Sequence, residues 1–167
     1  MGGDNYKYVV SPGEKKYRRG LYVVIKRGAP YPSFINFDAN ERMTCRVERN
    51  RSNTPLQALT LMNDPAYIEA AMTFAKRVVT EKPKADVSGR IQHAFQIAIA
   101  REPRQRETAA LQRLFREQLK AGQQDAPSAK EFVGKFTKPK QMNDAEFVAW
   151  YAVAAALLNL DETITKG

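Results

Sequence analysis

The sequence predicts a mainly all-α protein. The expected architecture is an irregular bundle of about five to six helices, with a long ordered N-terminal loop region and at most a minor strand. Three observations carry that reading. Helix-start signals recur from residue 54 onward, each a capping side chain followed by proline or by a partner three positions later. Apolar residues repeat at helical spacing, as in Leu111, Leu114, Phe115 and Leu119. The stretch from Phe147 to Leu160 is apolar almost all round, as a helix surrounded by others must be.

Taken in order, Tyr6, Tyr8 and Val10 alternate with Lys7 and Val9 and suit a short strand. Ser11-Pro12-Gly13 is a turn signal. Glu14 to Arg27 has a β-branched, aromatic run at Leu21–Ile25. Yet Tyr17, Leu21, Val24 and Gly28 share one face at helical spacing, and that periodicity predicts a helix ended by Ala29-Pro30-Tyr31-Pro32. Residues 33–53 read as a long ordered loop with at most one helical turn.

Beyond that point Thr54, Pro55 and Gln57 form a capping-box pattern and open a helix to about Met62. Asn63-Asp64-Pro65 stops it and starts the next, which runs to about Thr80 with Asp64 as cap. A third helix covers about Asp86 to Ala100. Pro103 opens a long charged fourth. Ala121 to Pro127 is a polar break, and Ser128 with Glu131 is a second capping-box pattern before a short helix to about Phe136. Asn143 with Glu146 is a third such pattern and starts the apolar last helix.

A chain of 167 residues holds one sizeable core, so residues 1–167 are read as a single domain: a basic, loop-rich region over 1–53 and a helical core over 54–167. The formal net charge is +9. Residues 1–52 supply most of it, with 11 basic and 5 acidic side chains. No apolar leader opens the chain, and the greasy run at 147–160 is shorter than the roughly 20 residues a membrane span needs.

The chemistry-bearing residues are sparse. One histidine, His93, and one cysteine, Cys45, form no metal-binding pair and no haem-attachment motif, and no glycine-rich phosphate loop is present. No cofactor, no metal ligand and no catalytic residue is expected. His93 reads as a half-buried or surface helix residue, and Cys45 as a small buried hydrophobe. Asp161 and Glu162 follow a helix end and read as solvated rather than paired for acid–base work. The basic residues are the better candidates. Arg18, Arg19, Lys26 and Arg27 flank an apolar stretch with Tyr17 and Tyr22, and Arg46, Arg49 and Arg51 precede Asn53. Cations interleaved with aromatics suit nucleic acid or an anionic polysaccharide. For Arg49 and Arg51 the structural alternative is stronger, since a long loop needs side-chain donors for its carbonyls.

The segment Cys45-x-Val47-x-Arg49-x-Arg51-x-Asn53-Thr-Pro-Leu-Gln-Ala-Leu59, followed by Leu61-Met-Asn-Asp-Pro65, resembles the planctomycete surface domain. That domain of unknown function lies at the C-terminal end of large proteins that often carry cytochrome-c-like modules. Tyr17-Arg18-Arg19, Leu21-Tyr22, Lys26-Arg27, Ala29-Pro30, Phe37-Asp38-Ala39, Arg101 with Pro103, and Leu157 to Glu162 follow in the family's order. The resemblance covers most of the chain from Tyr17 and corresponds to the C-terminal part of the domain. It implies an extracytoplasmic, surface-associated setting and no reaction. The function expected is a non-catalytic helical interaction or scaffold module, whose partner is the upstream part of the same protein or a second copy. The alternatives are binding of an anionic polysaccharide, or less readily nucleic acid, through the basic region, and a part of a glycan-acting enzyme.

Overall fold

The computed structural model describes residues 13–23, 31–39, 47, 52–134 and 136–165. The described residues hold eight α-helices, two short 3-10 turns and no strand. The helices are α1 (Pro32–Asn36), α2 (Pro55–Asn63), α3 (Pro65–Glu81), α4 (Val87–Ile99), α5 (Gln105–Gln124), α6 (Ala126–Val133), α7 (Asp144–Leu158) and α8 (Asp161–Ile164). The strand expected at Tyr6–Val10 lies outside the described residues. The backbone contacts group into two units, Met1–Thr60 and Leu61–Gly167, and the division falls within α2.

In the first unit, the helix expected over 14–27 is not continuous. Gly13–Tyr17 and Gly20–Tyr22 are separate 3-10 turns, Arg19 between them is extended (φ −56°, ψ 144°), and Val23 is extended as well. Gly20, a poor helix former, opens the second turn, and the β-branched run begins only at Val23, where the backbone is already extended. Residues 24–27 lie outside the described part. The single helical turn expected in the loop is α1, with Pro32 in its first position.

The second unit is organised by α7. Phe147, Ala149, Trp150, Val153, Ala154 and Leu157 are buried in one apolar cluster with Met72, Val78, Ile91, Phe95 and Phe115. The helix packs against α3, α4, α5, α6 and α8, which is why it has no polar face to spare. Trp150 is 1% exposed, and its ring lies 4.8 Å from that of Phe115. Where α5 ends, Gly122 lets the helices close up. A Cβ there would sit 3.1 Å from the Cα and Cβ of Ala145, tighter than side chains normally tolerate.

The caps follow the sequence at most positions. Asp64 accepts from the Ala66 N–H, Asp86 from that of Gly89, and Asn143 from that of Glu146. One expectation is corrected. Ser128 does not cap α6. Helix α5 continues through the supposed polar break to Gln124, and Asp125 accepts from the Ser128 N–H at 3.1 Å, placing Ser128 inside α6. Asp125, at φ −121° and ψ 69°, stands outside the helical region between α5 and α6, with Pro127 in the first turn behind it. The Ser128 bonds hold the Asp125 carboxyl below its ordinary range.

Candidate functional site

The most specific sequence stretch, Ser52 to Leu59, is built around a buried polar side chain. Gln57 is 1% exposed. Its Oε1 accepts from the Thr54 N–H at 3.1 Å, while its own N–H donates to Thr54 Oγ1 at 3.3 Å. That is the reciprocal capping box the sequence predicts. The amide does more than cap. Gln57 Nε2 donates to Ser52 Oγ at 3.0 Å. Ser52 donates in turn to Asp38, through its N–H at 3.0 Å and through its hydroxyl. Asp38 sits in the left-handed region (φ 53°) that Asp tolerates better than most residues. Asn36 of α1 also donates, through Nδ2, to Thr60 Oγ1 of α2 at 2.8 Å. A buried amide with its donor and acceptor both engaged rigidifies a loop and fixes its register. This chain of bonds is architecture for the turn that carries the motif.

The candidate binding residues fall into two groups. Arg18 and Arg19 are exposed on the 3-10 turns, and Asn53 is exposed ahead of α2. Lys26, Arg27, Arg46, Arg49 and Arg51 lie outside the described residues, as does Cys45. Arg19 donates to the Tyr22 hydroxyl at 3.2 Å, and its guanidinium lies 5.5 Å from that ring's centroid. The Lys16 ammonium lies 4.9 Å from the Tyr17 centroid.

In the second unit several ionisable groups are paired with one another. His93 is half-buried, and its Nε2 lies 2.7 Å from Glu81 Oε2. Arg77 donates to Glu81 Oε1 at 2.8 Å. Arg77 first, then His93, holds the Glu81 carboxyl below its ordinary range. Glu162, expected to be solvated, is instead bound by Arg101 61 positions earlier. Nε and Nη2 of Arg101 donate to its two oxygens at 2.7 and 2.9 Å. Nη1 and Nη2 also donate to the two oxygens of Glu107, at 2.8 and 2.7 Å. One planar guanidinium thus holds two carboxylates, an arrangement for which its fixed fork is suited. Arg101 leads the causes that push Glu107 down to about 2, and it lowers Glu162 as well. Ala100, at φ 59°, makes the left-handed turn that delivers Arg101 to this position. The sequence offered one signal for this node, the placing of Glu107 three residues after Arg104, whose N–H it accepts at 2.6 Å.

A shallow groove of about 460 Å³ opens between the start of α3 and α6. Pro65, Ile68, Phe132 and Phe136 line it, with Ser128 and Glu131 as its polar members. A single carboxylate there does not make the acid–base pair that glycan chemistry uses. Among the described residues, no group of three His, Cys, Asp or Glu is placed to hold a metal ion. No described helix is long and apolar enough to cross a membrane.

Residues 3–115 match the sequence family described as PSD1, a protein of unknown function (DUF1553). The chain belongs to the PSD1 family. The PSD1 match begins ahead of Tyr17 and ends at Phe115, within α5. It takes in the Ser52–Gln57 network and the Arg101–Glu107 pair, and leaves out Glu162 and the central helix α7. No curated protein and no solved structure matches the chain. What this establishes is a helical domain of a family without an assigned activity.

Proposed function

We propose that this PSD1 chain is a helical interaction or scaffold module of a surface protein, acting without catalysis. It would dock on the rest of its parent protein or on a second copy of itself. The observation that supports this is the other side of the motif helix. While Gln57 is buried, Leu56 and Leu59 of α2 are each 54% exposed. Ile35 of α1 is exposed too, at 62%. Side chains of this kind gain about 1.5–3 kcal/mol each when fully covered, and a group of them rimmed by polar residues is what a docking face offers. A motif helix fastened from within by a polar network and apolar on its outer side suits a fixed platform. The extracytoplasmic setting rests on the resemblance to surface proteins.

The test is association in solution. Light scattering across a concentration series should show self-association, or capture of a separately produced upstream segment. Leu56→Glu with Leu59→Glu should abolish it while leaving the helical circular dichroism unchanged. A chain that stays monomeric at its solubility limit and ignores the upstream segment overturns the reading.

A further inference from the structure

We infer that the two 3-10 turns at Gly13–Tyr17 and Gly20–Tyr22 form a binding surface for an acidic polysaccharide, one bearing uronate carboxylates or sulfates. This is independent of the docking role of α2. The turns carry Lys15, Lys16, Arg18 and Arg19 against a single carboxylate, Glu14. In a 3-10 turn, side chains three apart lie on the same edge. The Arg18 N–H points to Lys15 O and the Tyr22 N–H to Arg19 O, at 3.5 and 2.9 Å, so both pairs are in that relation. Lys15 and Arg18 therefore leave the turn from the same edge, and both are exposed. Two like charges kept adjacent by the backbone repel, and an anion placed between them relieves that repulsion.

The tyrosines decide which anion. Tyr22 is 61% exposed, yet Arg19 lies over its ring and donates to its hydroxyl. Lys16 likewise lies over Tyr17. The rings serve as braces for the cations. A single-stranded nucleic acid uses aromatic faces as platforms for its bases, and here a cation already occupies one face of each ring. Duplex DNA is read by a helix or ribbon that fills the major groove, which turns this short do not provide. A braced guanidinium fork matches a planar carboxylate or a sulfate, and such groups lie on the outside of an acidic polysaccharide.

The experiment is titration of the whole chain with a heparin oligosaccharide, a polygalacturonate oligomer and an oligothymidylate of matched charge, each at two salt concentrations. At least one of the two saccharides should bind, with affinity that falls as salt rises and exceeds that of the oligothymidylate. Arg18→Ala with Arg19→Ala should weaken that binding by about tenfold. Tyr22→Leu should weaken it by a smaller factor, because Arg19 loses its brace. Arg106→Ala with Arg113→Ala removes the same charge from the exposed side of α5 and should change little. The inference is overturned if neither saccharide binds, if the Arg18/Arg19 variant binds as the parent does, or if the α5 variant loses as much. Equal or tighter binding of the oligothymidylate overturns it in favour of nucleic acid.

Discussion

The two units are held together by different physics. In Leu61–Gly167 an apolar helix, α7, is enclosed by five others, and the buried residues are nearly all hydrocarbon. In Met1–Thr60 a polar side chain, Gln57, is the hub, bonded to Thr54 and, through Ser52, linked to Asp38. The first arrangement draws its stability from area removed from water, which is non-directional and tolerant of small shifts. The second depends on direction: each bond is worth little net, but a broken one leaves a buried group unsatisfied. The contrast teaches that the most recognisable stretch of sequence and the most stabilising stretch of structure are different places.

Removing the apolar centre should produce the largest effect. Trp150→Ala should cost about 3–5 kcal/mol, read as the shift in a urea-unfolding midpoint, because it opens a cavity beside Phe115 that a close-packed core cannot fill. A cost below that of an ordinary surface substitution would break the claim that α7 organises its unit. Next, Gln57→Leu keeps the volume but strips the Thr54 N–H of its acceptor and Ser52 Oγ of one of its two partners. A loss of about 1–3 kcal/mol is expected, seen as faster amide exchange over residues 52–60 with protection in α7 unchanged. Equal loss in both places would erase the distinction between the units.

Acid should act on the second unit through Arg101. Glu107 has a folded value of about 2, below its ordinary 4.5, and Glu162 is lowered by the same arginine. A lowered value means the carboxylate contributes stability above its unfolded value and loses that contribution as pH falls toward the folded one. The melting temperature should therefore decline between about pH 4.5 and 2. Glu107→Gln should flatten most of that decline and Glu162→Gln part of it; a slope unchanged in both variants would remove the node from the account. The smallest change has the opposite sign. Ala100→Gly should gain up to about 1 kcal/mol, because glycine adopts the left-handed conformation there without the Cβ penalty. A loss in thermal denaturation would mean that the turn is held for another reason.

Much of this molecule was legible before its structure. Thr54 with Gln57, Asp64 before Pro65, and Asn143 before α7 were readable because capping is local and its chemistry is narrow. The all-round apolar pattern of α7 announced a surrounded helix. What escaped was non-local or finely balanced. Asp125 and Ser128 both suit a cap ahead of α6, and the choice depended on how far α5 runs. The turns at 13–22 are interrupted ahead of Gly20, where a weak helical period meets a poor helix former. The double hold of Arg101 on Glu107 and Glu162 joins positions too far apart for any local pattern. Gln57 was visible as a cap but not as a buried hub, since burial of an amide leaves no mark in its neighbours' spacing. Of the candidate binding residues, Arg18, Arg19 and Asn53 are exposed, and the others lie outside the described residues.

The end of the PSD1 match at Phe115 has a practical meaning for anyone cutting the gene. The aromatic ring at that position rests on Trp150, and Phe95, Ile91 and Val78 share the same cluster with α7. A recombinant fragment trimmed to the matched residues would carry α3, α4 and the first part of α5 with the sides that face α7 bare, and it should precipitate or be degraded. The matched stretch ends inside the packed cluster around α7, and expression boundaries should follow the cluster.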